Sequence, residues 1–450
     1  MRKNQLNRRE FMRVGAGATA LGAATGNTFL TPSFLAASPR SVPPSDRIRF
    51  GIVGVGMQGT NLLERSVKLP GVECAAACDL YDGRHELAKE IVGKPIATTR
   101  RYQELLDNKE IDCIIAAVPD HWHKQVVVDA CSAGKDVYCE KPMTHTVEEG
   151  FQMIAAAKNR RIVQIGSQGA SSVLHKKAKE LLSQGVIGRV DLIEAFEGRN
   201  DPTGAYEYPP PPDLSPETLD WERWLGSAPK IAFNPLHFAR WRCWRTYSSG
   251  VSGDLGVHMV TAINFVTGVN APPLSAASKG GLFRWKDGRD IPDVISTLFE
   301  YPDYNVTMRV TLNTEMPGVV RFLGPGGMLE FRDNGLYVTR QDGLDHNPSY
   351  YTASYPKNLR DEYQKQWHEK NDAKPGASTA AETVIYHAPP GYDVLREHLW
   401  NFFEAVRTRE PVVEDAVFGN NAALACHMAN YSYFNKTIAR WDAGGEKIVG

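Results

Sequence analysis

The feature that most constrains this chain is a glycine turn between an apolar strand and a helix. Residues 48–53 form an apolar run that leads directly into GVGMQG at 54–59, and apolar residues at helical spacing follow over 57–69. Asp79 lies 20 residues after the last of these glycines and ends a second apolar run, 72–78. Strand, glycine turn, helix, strand and acid in this order form the dinucleotide-binding fingerprint. The sequence therefore predicts a nucleotide-binding turn, and the alternative is a glycine-rich turn of another α/β protein.

Each glycine of the turn has its own physical role. Gly54 permits the tight turn, Gly56 lets a pyrophosphate approach the backbone, and Gly59 lets the helix pack on the strand. The pyrophosphate would lie at the helix N-terminus, where free N–H groups and the helix dipole attract an anion. Met57 and Gln58 lie between these glycines and are counted among the cofactor contacts.

The acid that ends the second strand determines the expected cofactor. The carboxylate of Asp79 would accept hydrogen bonds from the ribose hydroxyls and repel a 2′-phosphate, so NAD is expected. Arg84 follows closely in the sequence and could accommodate that phosphate, so NADP is left open.

The composition narrows the class of protein. The 450 residues suggest two or three domains, and 51 basic and 52 acidic residues give a formal net charge of −1. That balance leaves no electrostatic footprint for nucleic acid or for an anionic membrane. Seven cysteines without C-x-x-C or zinc spacing predict buried free thiols and no structural metal.

Residues 1–45 resemble a twin-arginine signal peptide and linker. Arg8 and Arg9 precede a weakly apolar run over 14–26, and a zone of small residues follows near 36–38. The apolar run is shorter than the ~20 residues a spanning helix needs. We therefore expect export of the folded protein to the periplasm with its cofactor tightly held, and no membrane association beyond export. The alternative is a disordered basic tail.

Residues 46–168 show the alternation typical of an open parallel sheet. Short apolar runs alternate with amphipathic helical stretches, which indicates βαβ units and a doubly wound Rossmann domain. The predicted strands are 48–53, 72–78, 112–118, 136–139 and 162–166. The predicted helices are 57–69, 82–92, 122–133 and 147–159.

Residues 169–450 are predicted to form a second, substrate-binding α+β domain. Strands separated by turn residues indicate a mostly antiparallel open sheet, and an exposed sheet of this kind predicts a homodimer or homotetramer. Residues 341–391 are polar and irregular in pattern and are predicted to be a long functional loop. The predicted strands are 189–198, 292–301, 305–313, 318–323 and 328–332, and the predicted helices are 173–184, 252–267, 393–408 and 416–434.

Lys141 is the first candidate catalytic residue. Cys139-Glu140-Lys141-Pro142 ends a predicted parallel strand, and ligands of open α/β sheets bind outside the carboxyl ends of the strands. A lysine there can stabilise a developing alkoxide or transfer its proton, and Glu140 is counted with it among the cofactor contacts. The alternative is an exposed lysine paired with Glu140.

Asp254 and His258 are the second candidate. They lie four residues apart in SGDLGVH and therefore share one face of the predicted helix 252–267. Histidine is suited to general base work near neutral pH, and Asp254 could orient it or bind a substrate hydroxyl. The alternative is a buried histidine, with Asp254 interacting with the helix dipole.

The segment PDHWH, residues 119–123, follows the predicted strand 112–118. A helix that begins here would have its N-terminus near the cofactor, so Pro119 and His123 are candidate cofactor contacts. The alternative is that Asp120 only caps the helix.

These motifs together resemble the glucose–fructose oxidoreductase, inositol dehydrogenase and rhizopine catabolism (Gfo/Idh/MocA) family. The resemblance rests on GIVGVGMQG with Asp79, PDHWH, EKP at 140–142 and SGDLGVH, and covers residues 47 to about 440 in order. WRCWRTYSSGVSGDLGVHMV is similar to the bacterial branch that often carries twin-arginine signals. By position, the resemblance implies that Lys141 contacts the reacting hydroxyl, His258 is the acid/base and Asp254 positions the substrate.

The resemblance implies an NAD(P)-dependent oxidoreductase that removes hydride from a secondary hydroxyl of a sugar, glycoside or cyclitol. A second hypothesis is a glycosidase or lyase of the same fold that oxidises the sugar transiently and keeps its NAD, although the HGLGP-like stretch expected there reads VSGDLGVH. A third is a non-enzymatic nucleotide-binding or scaffold protein. Six aromatic residues are expected either to stack on a pyranose or to pack in the core: Trp221, Trp224, Phe238, Trp241, Trp244 and Tyr247.

Overall fold

The computed structural model describes Pro43 and residues 46–158, 160–341, 343, 348–371 and 383–450. The twin-arginine signal expected over 1–45 therefore lies, except for Pro43, outside the described residues and stays a prediction.

The N-terminal domain is built on a six-stranded sheet with the order β3-β2-β1-β4-β5-β6. Every neighbouring pair of strands is parallel, which confirms the predicted Rossmann fold class. The strands are β1 (Ile48–Val53), β2 (Val72–Cys78), β3 (Ala97–Thr99), β4 (Cys113–Ala116), β5 (Asp136–Cys139) and β6 (Val163–Ile165). The helices are α1 (Met57–Ser66), α2 (Gly83–Val92), α3 (Tyr102–Asp107), α4 (Asp120–Ser132) and α5 (Val147–Ala157).

The sequence pattern explains the centre of this sheet. All residues of β4 and β5 are buried, as expected for strands covered by helices on both faces, and this burial produces continuous apolar runs. β1 pairs with β2 on one side and β4 on the other, so the chain reverses its direction of travel across the sheet at β1. Such a switch point opens a crevice at the carboxyl ends of the strands. The short β3 and α3 were not predicted.

The C-terminal domain contains a ten-stranded sheet with the order β14-β13-β12-β11-β7-β10-β9-β8-β15-β16. Only β7 and β10 are parallel neighbours in this sheet as the structure describes it, which confirms the predicted mostly antiparallel sheet. The strands are β7 (Leu192–Gly198), β8 (Ser275–Gly281), β9 (Val294–Glu300), β10 (Asn305–Thr311), β11 (Met316–Gly324), β12 (Gly327–Arg332), β13 (Gly335–Arg340), β14 (Thr383–His387), β15 (Ala439–Asp442) and β16 (Lys447–Val449). The helices are α6 (Val173–Ser183), α7 (Trp221–Leu225), α8 (Pro235–Ala239), α9 (Val257–Thr267), α10 (Ser349–Thr352), α11 (Lys357–Asn371), α12 (Val394–Thr408) and α13 (Ala416–Asn435).

One face of the ten-stranded sheet, the inner face, is covered by helices. Met308 and Phe322 of the inner face share a core with Ile263 of α9 and Ala425 of α13. The opposite, outer face is more exposed, and the side chain of Leu298 on β9 is 49% exposed. This difference produces the alternating burial along β9 and β10.

The prediction of one long irregular loop over 341–391 was wrong. The described part of this stretch contains α10, α11 and β14, and β14 pairs antiparallel with β13. Helix α11 is rich in Lys, Glu, Gln and Arg, which are good helix formers, and an ion pair joins Lys357 to Asp361 one turn later. β8, β13, β15 and β16 were also missed. β8 (SAASKGG) lacks the β-branched residues that indicate a strand, and its partners β9 and β15 determine its conformation.

The two domains share packed surfaces. Phe402 and Phe403 of α12, which the sequence assigns to the C-terminal domain, are buried in the same core as Phe50 of β1. Thr144 Oγ1 and His427 Nε2 lie 2.9 Å apart across the domains.

All seven cysteines are buried free thiols. Within the described part of the chain, no helix is both long and apolar enough to span a membrane.

Candidate active site

A groove of about 180 Å³ lies at the carboxyl ends of the parallel strands, where the switch point of the sheet predicts a ligand. Nine of the eleven residues proposed as cofactor contacts line it: Gly54, Gly56, Met57, Gln58, Asp79, Arg84, Pro119, Glu140 and Lys141. Gly59 and His123 do not line the groove.

Two glycines of the fingerprint are required by close backbone contacts. Gly54 has φ +90°, and a Cβ there would lie 2.3 Å from the carbonyl oxygen of Ala117. A Cβ on Gly59 would lie 2.1 Å from the carbonyl oxygen of Gly54. Gly59 therefore lets α1 pack against the turn without lining the groove, whereas Gly54 lines the groove wall.

The carboxylate of Asp79 is held in one orientation at the groove wall. Its Oδ2 accepts the Val55 N–H at 2.8 Å and its Oδ1 accepts the Tyr81 N–H at 3.0 Å. The Arg84 guanidinium lies 3.3 Å from Oδ2 and stacks over the ring of Phe238. Asp79 and Arg84 are thus paired, and both face the groove.

Glu140 joins the glycine turn to the end of β5. Its Oε1 accepts a hydrogen bond from Gln58 Nε2 at 2.8 Å, and its Oε2 accepts the backbone N–H of Lys141 at 3.2 Å. Burial raises the pKa of this carboxyl, and the ammonium of Lys141 opposes that rise. Glu140 therefore fixes the position of the two segments that the fingerprint and EKP motifs contribute.

Lys141 and Asp254 form an ion pair between the domains. Lys141 Nζ lies 2.8 Å from Asp254 Oδ1 and also donates to the Asp254 carbonyl oxygen at 2.8 Å. Arg242 Nε donates to the same Oδ1 at 3.2 Å. Burial would raise the pKa of Asp254, but the charges of Lys141 and Arg242 hold it well below its usual value. Asp254 is thus ionised at neutral pH and is bound on both sides by a cation.

His258 lies at the start of α9, directly after a π-helical turn over Ser252–Gly256 that contains Asp254. Turns of this kind often occur at functional sites. His258 lines a second cavity of about 580 Å³ on the C-terminal domain. Burial, together with the charge of Lys141, lowers the pKa of His258 to about 3, and Asp254 only partly offsets this. The imidazole is therefore neutral at pH 7.

The structure gives His123 and Asp120 of the PDHWH segment different roles from those expected, whereas Pro119 lines the groove. His123 Nδ1 lies 2.8 Å from the Pro142 carbonyl oxygen and its Nε2 lies 2.9 Å from that of Val118, so the ring ties two loops together. Asp120 does not cap α4, because its Oδ2 accepts hydrogen bonds from the N–H and Oγ of Ser249 in the other domain. Both residues are buried; His123 joins two loops of the N-terminal domain, and Asp120 links this domain to the C-terminal domain.

Sequence reasoning missed the second wall of the groove. Residues of the C-terminal domain close it from the side opposite the glycine turn: Arg223, Trp224, Phe238, Ala239, Trp241 and Arg242. We call residues 213–247 the cover segment. Leu219 of this segment pairs with Tyr81, and Arg100 links Asp82 to the Glu217 carbonyl oxygen. The density of tryptophan and arginine over 221–245 is the signal that could have indicated it.

The aromatic residues of the cover segment pack together instead of forming a separate platform. Trp224, Phe238 and Tyr247 are buried in one cluster with Tyr81, and Trp221, Trp241 and Trp244 pack against it. Among the residues described around the second cavity, none of these six is present. Core packing therefore accounts for Trp221, Trp244 and Tyr247, whereas Trp224, Phe238 and Trp241 also line the cofactor groove. The described residues also contain no group of His, Cys, Asp and Glu side chains that could hold a metal ion.

Comparison with known proteins finds a family match in the N-terminal part. Residues 48–167 match the family model GFO_IDH_MocA, described as oxidoreductase family, NAD-binding Rossmann fold. Glycosyl hydrolase family 109 protein 1 of Shewanella sp. strain ANA-3 is 28% identical over 209 residues, which cover 42% of this chain and 45% of that protein. The chain thus matches less than half of the length of this curated relative.

Two solved structures have the same fold over both domains. The aldose-aldose oxidoreductase of Caulobacter crescentus, complexed with glycerol, has a TM-score of 0.64 at 18% identity, covering 88% of this chain and 100% of that chain. Levoglucosan dehydrogenase, complexed with NADH, has a TM-score of 0.63 at 16% identity, covering 88% and 99%. At these identities the likeness shows the fold.

Proposed function

We propose that this protein is an NAD-dependent oxidoreductase acting on a secondary hydroxyl of a sugar, glycoside or cyclitol, because residues 48–167 match the NAD-binding Rossmann domain of the Gfo/Idh/MocA oxidoreductase family. One observation carries the proposal. Lys141, which lines the cofactor groove, is ion-paired with Asp254, and both charges act on His258, the second residue of the helix that follows Asp254. This arrangement brings an ammonium, a carboxylate and a neutral imidazole together beside the groove.

The three side chains have complementary roles in this proposal. Bound NAD⁺ supplies the hydride acceptor. The ammonium of Lys141 stabilises negative charge on the reacting oxygen, and the neutral imidazole of His258 accepts the hydroxyl proton. A pKa of about 3 makes His258 a weak base, so proton transfer depends on Lys141 holding the charge of the oxygen. Asp254 holds Lys141 in position and accepts a hydrogen bond from a substrate hydroxyl.

The cover segment supports a cofactor that is held tightly. Its Trp224 and Phe238 form the second groove wall, and Arg223 donates to the Arg100 carbonyl oxygen at 3.3 Å. NAD enclosed on both sides must wait for this segment to move before it leaves. Asp79 favours NAD over NADP. Three arginines in the same groove could bind a 2′-phosphate, so the affinities for both nucleotides should be measured: Arg84, Arg100 and Arg223.

A second candidate function is a glycosidase or lyase that oxidises the sugar transiently and then reduces it again. The 28% identity to a glycosyl hydrolase family 109 protein favours it. The sequence VSGDLGVH, in place of an HGLGP-like stretch, ranks it below the dehydrogenase. A tightly held cofactor is compatible with both functions.

One experiment separates these functions. Purified protein without added cofactor is titrated with sugars and aryl glycosides while absorbance is followed near the reduced-nicotinamide band and products are identified by mass spectrometry. A lasting rise with a keto-sugar product is the expected result for the dehydrogenase. Glycoside cleavage without a lasting rise identifies the internal redox cycle, and neither signal with any sugar rejects both.

Localisation and assembly complete the proposal. We expect twin-arginine export to the periplasm, tested by cell fractionation of the wild type and of a variant with Arg8→Lys and Arg9→Lys. Recovery of both in the cytoplasm with an intact N-terminus would exclude export.

We also expect a dimer or tetramer formed through the outer face of the ten-stranded sheet, where Leu298 is exposed. Light scattering of the wild type and Leu298→Glu tests this, and a wild-type monomer would contradict it.

A further inference from the structure

The second cavity extends well beyond His258. Its floor is the inner face of the ten-stranded sheet, with Glu197 on β7, Val320 on β11 and Phe331 on β12. Its roof consists of residues from α6 and α9 together with the segment over 167–169. His258 lies at the α9 side, next to the proposed reaction centre, and the cavity continues toward the β12–β13 turn.

The strand register gives the width of this floor across the strands. Phe331 pairs with Val320, and Val320 pairs with Ala195 on β7. Because neighbouring strands lie about 4.8 Å apart, the floor from β7 to β12 is about 10 Å wide. One pyranose ring placed against His258 would leave the β12 end of the cavity unfilled.

The distant end of the cavity has the chemistry of a sugar-binding surface. His175 of α6 stacks on Phe331 with ring centroids 4.3 Å apart and an interplanar angle of 16°. Burial lowers the pKa of His175 to about 4, so the stacked pair is uncharged at neutral pH. Asp333 and Asn334 also line this end and can bond to hydroxyls.

A carboxylate lies at the β7 edge of the floor. Glu197 lines the cavity, and a Cβ on Gly318 would lie 2.7 Å from its Oε2, so the glycine leaves space for this carboxylate. Glu197 also pairs with Arg199, whose Nε is 3.5 Å from Oε1. The cavity therefore combines an aromatic surface with polar groups along its length, the usual composition of a pocket for a polar ring.

We propose that the end of the second cavity at His175 and Phe331 is a subsite for a second sugar ring. The substrate is then a disaccharide or a longer glycoside, with the ring that reacts at Lys141, Asp254 and His258 and the neighbouring ring on Phe331. This inference rests on the proposed function, because that function places the reacting ring.

The test compares disaccharides with matched single-ring glycosides. NAD-loaded protein is titrated by calorimetry with maltose, cellobiose, lactose and chitobiose, and with the methyl glycoside of each non-reducing ring. At least one disaccharide is expected to bind about tenfold more tightly than its methyl glycoside. Phe331→Ala should weaken that disaccharide about three- to tenfold, the range for losing one aromatic contact, and leave the methyl glycoside within about twofold.

Two further variants keep the test independent of folding. His175→Ala removes the other ring of the stack and should give the same selective loss if Phe331→Ala fails to fold. Phe283→Ala removes an aromatic side chain that is 63% exposed and absent from the cavity lining, and should change neither affinity.

The outcomes separate this inference from the proposed function. Equal affinity for every disaccharide and its methyl glycoside, equal weakening of both by Phe331→Ala and His175→Ala, or no binding of any disaccharide overturns the subsite. A selective loss of disaccharide binding without any nicotinamide reduction or glycoside cleavage supports the subsite and rejects the proposed function.

Discussion

The cofactor groove, which Lys141 lines, and the second cavity, which His258 lines, are built in different ways. One wall of the groove is backbone: a glycine turn, a helix N-terminus and a carboxylate held by two backbone N–H groups. The cavity is lined by side chains that extend from a sheet face and from packed helices. Backbone geometry allows few substitutions, whereas side chains on a sheet face can be exchanged without changing the fold. The groove can therefore keep one cofactor while the cavity is adapted to a particular substrate.

Replacing Lys141, whose ion pair with Asp254 joins the two domains, should have the largest effect. Lys141→Met retains the length of the side chain but removes the ammonium that pairs with Asp254. We expect kcat to fall by about 10²–10⁴, the range for losing one positioned acid–base or electrostatic group, with the Kd for NAD within about threefold of the wild type. Steady-state kinetics and calorimetry measure these values. Lys109→Met, on the exposed surface of the same domain, is the control, and unchanged kcat in Lys141→Met would remove Lys141 from the mechanism.

Gly54→Ala should affect cofactor binding next most strongly. The new Cβ would lie 2.3 Å from a backbone carbonyl oxygen at φ +90°, so the turn itself must shift. Strained backbone of this kind costs about 1–3 kcal/mol, and we expect NAD affinity to fall at least tenfold. Gly93→Ala is the matched control, since its φ is +72° but no atom lies within 4 Å of the new Cβ. Equal NAD affinity in both variants would contradict a role for the close contact at Gly54.

The same contrast explains which parts of the molecule could be predicted from sequence. The glycine turn and Asp79 are a local pattern with fixed spacing, so one short stretch indicates both its fold and its ligand. Lys141 and Asp254 were identified as separate candidates, and their pairing was not, because 113 residues separate them. The cavity formed by His175, Glu197 and Phe331 has no continuous signal, because its members come from three elements that only the tertiary fold brings together.

Acid should destabilise the fold through the buried histidines of the cavity. Two histidines, His175 and His258, line the cavity, and none is present among the described residues that line the groove. The pKa of His175 is about 4 when folded and about 6.5 when unfolded. Between these values the unfolded chain binds more protons than the folded chain. The free energy of unfolding therefore decreases as the pH is lowered, by about 1.4 kcal/mol per pH unit for one such histidine.

Thermal unfolding of the wild type and His175→Gln at pH 7 and pH 5 measures this contribution. The fall in Tm between the two pH values should be smaller in the variant, because Gln does not titrate. His85→Gln, at a half-buried position on the Rossmann domain whose Nε2 lies 2.9 Å from the Asp79 carbonyl oxygen, is a comparison from the groove side. An identical fall in Tm for the wild type and His175→Gln would show that His175 is not neutral in the folded protein.

The cofactor preference should change by a moderate factor. Asp79→Asn removes the charge that repels a 2′-phosphate and leaves Arg84 without its partner. We expect the ratio of NADP to NAD affinity to rise about tenfold, the effect of ~1.4 kcal/mol of changed charge interaction. Adding Arg84→Ala should reverse most of this gain. Calorimetry with both nucleotides is the measurement, and an unchanged ratio would show that Asp79 does not select the cofactor.

Gly318→Ala should have the smallest effect, although it is the same chemical change as Gly54→Ala. The nearest atom to the new Cβ is Glu197 Oε2 at 2.7 Å, the end of a flexible side chain that can rotate away. We expect unchanged NAD affinity, a Tm within about 2 °C of the wild type, and at most a threefold weakening of glycoside binding. Titrations with NAD and with a glycoside measure the two sites separately. Gly318 lines the second cavity and not the groove. A loss of NAD affinity as large as that of Gly54→Ala would therefore contradict the distinction between a groove fixed by backbone and a cavity lined by movable side chains.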